Sequence, residues 1–304
     1  MAKEISVIIP TRNEFKNLMW TLQAAQADLE DRDYELIVVM NKCDPEEAEK
    51  LRKYWPFRVG RGKVIEYNDK PSCWQARNAG AAAAEGDYLL FLDSHVIPST
   101  GSFSRLLDYH KGWKGVAHCA LNYWLEPPEK TLHGYKWQPE KFWGTWTRLK
   151  PKPPDYRILL SGTSSSLIDR DVFEDIGGFH PAFGTYGGGE AYIDLKVQMF
   201  GYEVRMPPGC RLWHLTEQRG YFWTNEGIWF NFMVAAYALG GDKYIQTYYD
   251  NVKAKIGERY HENLTKIRDD AIAAGQEDRE FIEANAKFTL DEVISTWDDE
   301  RIES

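Results

Sequence analysis

The apolar positions in the first hundred residues form short continuous runs, and segments with helical patterning separate them. Runs of this kind are typical of strands that a parallel sheet buries on both faces. They lie at residues 5–9, 34–40, 64–67 and 88–92. Helices are predicted between them, over residues 14–29, from the Asp44-Pro45 start, and over residues 72–84. This alternation predicts an α/β fold with a mostly parallel central sheet and right-handed crossovers.

The pattern is less regular after residue 100. A strand is predicted over residues 116–123, and residues 130–157 then show no periodicity. Short helices and strands follow, at residues 169–176, 191–200, 202–206 and 210–214. The sequence therefore predicts a main domain over residues 1–225, with a regular first half (1–98) and a less regular second half (99–225). A charged helical extension packed on that domain is predicted over residues 226–304.

Polar residues follow three of the predicted strands at their carboxyl ends, where ligands bind to parallel sheets. Asp93 and His95 stand two residues apart on an extended backbone, so their side chains point the same way. Mixed oxygen and nitrogen ligands suit Mn²⁺ or a similar ion. The alternative is an ordinary polar strand end followed by a turn. The residues at these three ends are Pro10, Thr11, Arg12, Asn41, Asp93, Ser94 and His95.

Two further groups carry candidate chemistry. A run of three glycines precedes Glu190, and Asp194 lies one helical turn beyond it on the same face. Either carboxylate could bond a sugar hydroxyl or accept a proton, although acids are common in the first turn of any helix. His214 ends a short predicted strand. It is either a partly buried histidine or a third metal ligand that leaves positions open for phosphate oxygens.

Composition narrows the class of protein. The 304 residues carry 37 Lys and Arg against 46 Asp and Glu, a net charge of −9 that argues against a generally basic nucleic-acid binder. The four cysteines are scattered without a CxxC pair, as expected for free thiols in a reducing compartment. No stretch has the length and apolar content of a signal peptide or membrane span, so a cytoplasmic location is predicted.

Residues 130–157 depart from the acidic average. They hold seven Lys or Arg, two acidic residues and six aromatic residues. Cations interleaved with Tyr135, Trp137, Trp143 and Trp146 could bind a polyanionic acceptor such as nucleic acid or an anionic glycan. The alternative is a structured insert whose aromatic side chains pack on the core.

Together these motifs resemble glycosyltransferases of the GT-A fold, in the family 2 superfamily. The resemblance rests on residues 5–14, on Arg77-Asn78-Ala79-Gly80 and on the apolar run that ends at Asp93. Asp-Ser-His stands where the family usually has Asp-x-Asp. That variant, with residues 186–190 and His214, is similar to the polypeptide N-acetylgalactosaminyltransferases. The resemblance covers about residues 5–214. It implies that residues 1–98 form a nucleotide-binding half and residues 99–225 an acceptor and sugar half.

The resemblance implies a nucleotide-diphosphate sugar donor, most simply a UDP-sugar, and a Mn²⁺ or Mg²⁺ ion on Asp93, His95 and His214. The implied catalytic residues are Glu190, Asp194 and Arg77. Asn41, with Asn68 or Asp69, would contact the base, and Arg77 would reach or position the diphosphate. The other implied donor contacts are Pro10, Thr11, Arg12, Glu14, Ser94, Ser161, Gly162, Gly188 and Gly189, with Asp93 and Glu190 also in this group.

The implied reaction leaves alternatives open. Family 2 enzymes mostly invert the anomeric carbon, whereas those with the Asp-Ser-His and Gly-Gly-Glu pattern retain its configuration. The acceptor could be a glycan, a protein or a modified nucleic acid. An inactive nucleotide-sugar or carbohydrate-binding protein on the same fold, and a nucleotidyltransferase, are the two rival functions.

Overall fold

The computed structural model describes residues 3–58, 61–123, 126–215, 221–297 and 302–303. The strands are β1 (Lys3–Thr11), β2 (Tyr34–Asn41), β3 (Gly62–Tyr67), β4 (Gly86–Leu92), β5 (Val96–Pro98), β6 (Gly115–His118), β7 (Ala120–Tyr123), β8 (Tyr135–Gln138), β9 (Trp143–Trp146), β10 (Lys150–Pro151), β11 (Ser165–Asp169), β12 (Glu203–Arg205), β13 (Arg211–His214) and β14 (Ile302–Glu303). The α-helices are α1 (Phe15–Asp28), α2 (Pro45–Arg58), α3 (Cys73–Ala83), α4 (Ser102–His110), α5 (Arg170–Asp175), α6 (Gly189–Met199), α7 (Asn225–Lys253), α8 (His261–Asn285) and α9 (Leu290–Ser295).

Seven strands form the central sheet in the order β12-β6-β11-β4-β1-β2-β3. β1 pairs in parallel with β2 and β4, and β2 pairs in parallel with β3. β2 is buried at every position, as its continuous apolar run predicts. The predicted α/β class with a mostly parallel sheet is therefore confirmed. The exception is β11, which runs antiparallel between β4 and β6.

The single strand predicted over residues 116–123 is two strands. β6 ends at His118 in the central sheet, whereas β7 begins at Ala120 in a separate three-stranded sheet of order β5-β13-β7. At the break, the backbone N–H of Cys119 donates to the Ser165 hydroxyl, and that of Ala120 donates to the carbonyl of Cys210. The chain thus passes from one sheet to the other at Cys119.

The small sheet positions the end of β13 beside the end of β4. β13 runs antiparallel to β5, with His214 opposite Val96, and parallel to β7, with His214 opposite Tyr123. The segment over residues 130–157 contributes a hairpin, β8–β9, whose aromatic side chains pack partly on the core.

The C-terminal helices share the main core. Met233 of α7, Leu264 of α8 and Leu290 of α9 belong to the same buried apolar cluster as Ile8 and Phe91 of the central sheet. These three helices therefore pack as part of one continuous core with the central sheet. Within the described ranges, no helix combines the length and apolar content that crossing a bilayer requires.

A buried ion pair joins α6 to α8. The Lys196 ammonium, on a residue that is 1% exposed, lies 2.7 Å from Asp278 Oδ1. It also donates to the Tyr192 hydroxyl, which in turn donates to the other oxygen of Asp278. Removing one partner of such a pair leaves an uncompensated buried charge, which costs more than the pair itself contributes.

We predict that Asp278→Ala lowers the free energy of unfolding by about 3–5 kcal/mol, because Lys196 then stays buried without its counter-ion. The double variant Lys196→Met with Asp278→Leu should recover most of that loss. Urea denaturation followed by circular dichroism measures both. An unchanged unfolding curve for Asp278→Ala would show that α8 does not share the core.

Candidate active site

The three predicted metal ligands converge at the ends of three strands. Asp93 follows β4, His95 precedes β5 and His214 ends β13. One ligand atom from each lies within 4.8 Å of the others, and the two imidazole centroids are 4.7 Å apart. The β5–β13 pairing causes this convergence, since the N–H of Leu215 donates to the carbonyl of His95 at 2.9 Å.

A buried carboxylate orients His95. Its Nδ1 lies 2.8 Å from Oε2 of Glu14, and the Ser94 hydroxyl donates to the same oxygen at 2.5 Å. A carboxylate accepts only, so Nδ1 carries a hydrogen, and in the neutral imidazole Nε2 keeps its lone pair. Nε2 is buried, and no described residue hydrogen-bonds to it. Metal-binding histidines are typically held in this way.

Glu14 therefore lies behind the imidazole. The sequence predicts that it borders the nucleotide, but its carboxylate side chain is only 2% exposed and faces Ser94 and His95.

Asp93 carries the negative charge of the cluster. Burial raises its pKa, but the contact with His214 and the positive charge of Arg77 outweigh burial and hold the pKa below its usual range. Asp93 is therefore a carboxylate at neutral pH. Its Oδ1 accepts from Arg77 at 2.8 Å, and its Oδ2 lies 3.7 Å from Nε2 of His214.

Arg77 is a buried support for Asp93. It is 1% exposed and donates to the hydroxyl and the carbonyl of Thr163 as well as to Asp93. Its guanidinium lies 5.1 Å from the Trp74 ring centroid. These bonds fix the guanidinium, which in turn orients the Asp93 carboxylate. Arg77 also lines the second of the two cavities described next.

Two cavities meet at the cluster and share Cys73, Asp93 and Tyr221. The first, which we call the strand-end cavity, is lined further by Pro10, Thr11, Arg12, Asn41, Ser94, His95 and Thr185. The second, which we call the aromatic cavity, is lined further by Trp74, Arg77, Leu121, Tyr123, Tyr135, Trp143, Trp146, Gly162, Thr163, Ser164, Tyr186, Glu190 and His214. The predicted strand-end residues thus gather on one side of Asp93, and Glu190 lies on the other.

The β8–β9 hairpin supplies one wall of the aromatic cavity. The Tyr135 ring lies 4.1 Å from the ring of Trp146 and 4.9 Å from that of Trp143, measured between centroids. These aromatic residues pack partly on the core, as one of the two sequence interpretations of this segment predicts, and they also line the cavity.

The three glycines before Glu190 allow the backbone to pack closely against neighbouring residues. Gly187 and Gly188 have φ values of 86° and 81°, which favour glycine. A Cβ on Gly189 would lie 2.5 Å from the Trp74 ring, and one on Gly188 would lie 2.7 Å from the carbonyl oxygen of Asn231. Gly188 and Gly189, predicted donor contacts, line neither cavity. They allow α6 to begin close to Trp74. This position of α6 places Glu190 in the wall of the aromatic cavity.

Asp194, predicted as catalytic, lies in the interior instead. It is fully buried, with Oδ1 2.9 Å from Nε2 of His118 and Oδ2 accepting from the backbone N–H of Ser161 at 2.7 Å. Asp194 and Ser161 line neither cavity, and Asp194 anchors the segment that leads to Gly162. His118, which no sequence motif marks, completes this buried pair.

Asn68 and Asp69, the alternative base contacts, are exposed at the end of β3 and line neither cavity. The Asn68 amide donates to Glu66 at 3.2 Å. Sequence reasoning missed Cys73, Thr185 and Tyr221 because no motif marks them: Cys73 is the first residue of α3, and the other two lie outside helices and strands. Residues 216–220, which follow His214, lie outside the described part of the chain.

Solved structures share this fold. A crystal structure of GalNAc-T7 with UDP, GalNAc and Mn²⁺ superimposes with a TM-score of 0.69 at 19% identity, over 89% of this chain and 54% of that one. A mannosyltransferase from Pyrobaculum calidifontis in complex with GDP-Man and Mn²⁺ gives 0.52 at 14% identity, over 97% and 79% of the two chains.

The relatives in sequence are polypeptide N-acetylgalactosaminyltransferases. Number 5 from Caenorhabditis elegans is 24% identical over 83% of this chain and 44% of its own length. Number 10 from Rattus norvegicus is 23% identical over 69% and 37%. The chain thus spans less than half the length of these relatives. Residues 6–177, more than half of the 304, match the model of glycosyl transferase family 2, so the chain belongs to that family.

Proposed function

We propose that the protein transfers a sugar from a nucleotide-diphosphate donor, with a UDP-sugar as the donor class and Mn²⁺ or Mg²⁺ as the metal. The observation that carries this proposal is the convergence of Asp93, His95 and His214 where two cavities meet. The metal and nucleotides in the GalNAc-T7 and mannosyltransferase structures support it.

The strand-end cavity would receive the nucleotide. Thr11, Arg12 and Asn41 line it at the carboxyl ends of β1 and β2, the usual place for a nucleotide on a parallel sheet. Asn41 is itself fixed, since its Oδ1 accepts from the backbone N–H of Ser72 at 3.1 Å. The aromatic cavity would receive the transferred sugar and the acceptor, because ring faces suit the apolar faces of sugars and Glu190 offers an acceptor oxygen.

The residues of the cluster fit a divalent cation. An ionised carboxylate and an imidazole with a free Nε2 lone pair suit Mn²⁺. When bound, the ion would offset the negative charge that develops on the departing diphosphate. Glu14 holds His95 in the required tautomer, and Arg77 orients the Asp93 carboxylate.

Glu190 is proposed to bond a hydroxyl of the transferred sugar, from its place in the wall opposite Asp93. Asp194 is proposed as a positioning residue, because its two oxygens bond His118 and Ser161 in the interior. It would hold α6 against the segment that leads to Gly162.

We predict that Asp93→Asn and His214→Ala each weaken Mn²⁺ binding by more than about 100-fold, since each removes a direct ligand. Mn²⁺-dependent release of UDP from a panel of UDP-sugars should fall to background. Isothermal titration calorimetry measures the first effect and nucleotide release the second. Asp87→Asn, at the exposed amino end of the same strand, is the matched control and should change neither. Unaltered metal affinity in Asp93→Asn would refute the proposed site.

Glu14→Gln should weaken Mn²⁺ binding by roughly 10- to 100-fold, because the amide no longer fixes the His95 ring as a carboxylate does. Ser94→Ala is the comparison, since it removes the other bond to Glu14 but leaves the imidazole contact in place. Its effect should be clearly smaller. Equal effects of the two substitutions in calorimetry would contradict an orienting role for Glu14.

Glu190→Gln should reduce kcat/KM for the donor by roughly 10- to 150-fold. This factor corresponds to about 1.5–3 kcal/mol, the free energy that a hydrogen bond to a charged group contributes. Mn²⁺ affinity should not change, because Glu190 is not a ligand. Glu174→Gln, an exposed carboxylate on α5, serves as the control. The proposed contact is wrong if Glu190→Gln turns over the donor as the unaltered protein does.

A further inference from the structure

A third cavity, of about 760 Å³, lies at the amino ends of β7 and β13. Its polar lining includes Arg148, Lys150, Arg211 and His133, and prolines form much of the remaining wall. We call it the basic cavity. Its volume falls within the range of about 300–1,000 Å³ that is typical of ligand sites.

The basic cavity carries a local positive charge on an acidic protein, whose net charge is −9. Arg148 and Lys150 are exposed, and Arg211 is half-buried. No ion pair joins any of the three to a residue whose side chain the structure describes, and Lys150 lies opposite Glu303 in the backbone pairing of β10 with β14. One exposed acidic residue, Glu129, lies in the lining.

The positive charges converge within the cavity. Burial lowers the pKa of His133, and the neighbouring charges of Lys150 and Arg211 lower it further. The charged groups of Lys150 and Arg211 therefore both lie near the His133 ring in the cavity wall. Such a cluster attracts an anion, and guanidinium groups match phosphate oxygens in a bidentate geometry.

The basic cavity and the aromatic cavity are linked by shared segments. β7 and β13 run in parallel from the basic cavity, at Ala120 and Arg211, to the aromatic cavity, at Tyr123 and His214. Three residues of strand span about 10 Å.

The hairpin segment makes the same connection. Tyr135 and Trp146 line the aromatic cavity, whereas His133 and Arg148, each two residues away, line the basic cavity. Two residues of chain span at most about 7 Å, so the two cavities are neighbours although their linings share no residue. A chain-like ligand would have to span this separation to occupy both.

We propose that the basic cavity binds the phosphates of a single-stranded nucleic acid whose adjoining base enters the aromatic cavity. Proteins that bind single strands combine a positive groove with aromatic rings on which bases stack, and the two linked cavities supply both. The role of this strand as the sugar acceptor rests on the proposed function above, whereas its binding does not.

The test is fluorescence anisotropy with a labelled mixed-sequence deoxyoligonucleotide of about twelve nucleotides, within the usual range of site sizes. The variant Arg148→Ala with Lys150→Ala and Arg211→Ala should raise its Kd more than about tenfold. The slope of log Kd against log salt should fall by about 2, since each lost phosphate contact contributes about 0.7 for single strands.

Lys53→Ala with Lys255→Ala and Lys266→Ala is the control, because it removes the same charge from exposed positions elsewhere. It should leave Kd and the salt slope close to those of the unaltered protein. Arg148→Glu, a single change at an exposed residue, should also weaken binding and guards against misfolding of the triple variant.

Equal Kd values in the basic-cavity variant and the control overturn the proposal. It is also overturned if labelled heparin binds through these cations while the oligonucleotide does not, since the ligand is then an anionic glycan. Mn²⁺-dependent release of UDP, measured on the same samples, should persist in both triple variants. Its absence from the unaltered protein would count against the transferase proposal and would leave the binding result standing.

Discussion

The site depends on the pairing of β13 with β5. This antiparallel pair sets His214 opposite Val96 and bonds Leu215 to the carbonyl of His95. Asp93 and His95 are neighbours in sequence, whereas His214 lies more than a hundred residues further on. A shift of one residue in this register would turn His214 to the other face of the small sheet and separate the three side chains.

The charges in the cluster hold one another in place. Two carboxylates, one guanidinium and two imidazoles lie close together in a largely buried setting. Arg77 satisfies Asp93, and Glu14 satisfies His95, so each charged group has a partner of opposite sign or a hydrogen-bond donor. Such networks specify one arrangement, because an unpaired member is costly in a low-dielectric interior. The orientations of the Asp93 and His95 side chains are therefore set by the protein itself.

The sequence predicted those features of the fold that depend only on residues close together along the chain. The buried strands followed from continuous apolar runs, and the proximity of the Asp93 and His95 side chains followed from their spacing. The break at Cys119 depends on a bond to a distant strand, which no local pattern reveals. The interior position of Asp194 and the place of Glu14 behind His95 likewise depend on which helix face the tertiary packing covers. Acidic residues near a helix start look alike in sequence, whether they line a cavity or support one.

The most direct test of the central claim is an anomalous difference map from a crystal soaked in Mn²⁺. The account predicts one strong peak at a metal–ligand distance, about 2.0–2.6 Å, from a carboxylate oxygen of Asp93 and a ring nitrogen of each of His95 and His214. A manganese ion bound elsewhere, with these three side chains outside its coordination sphere, would contradict it.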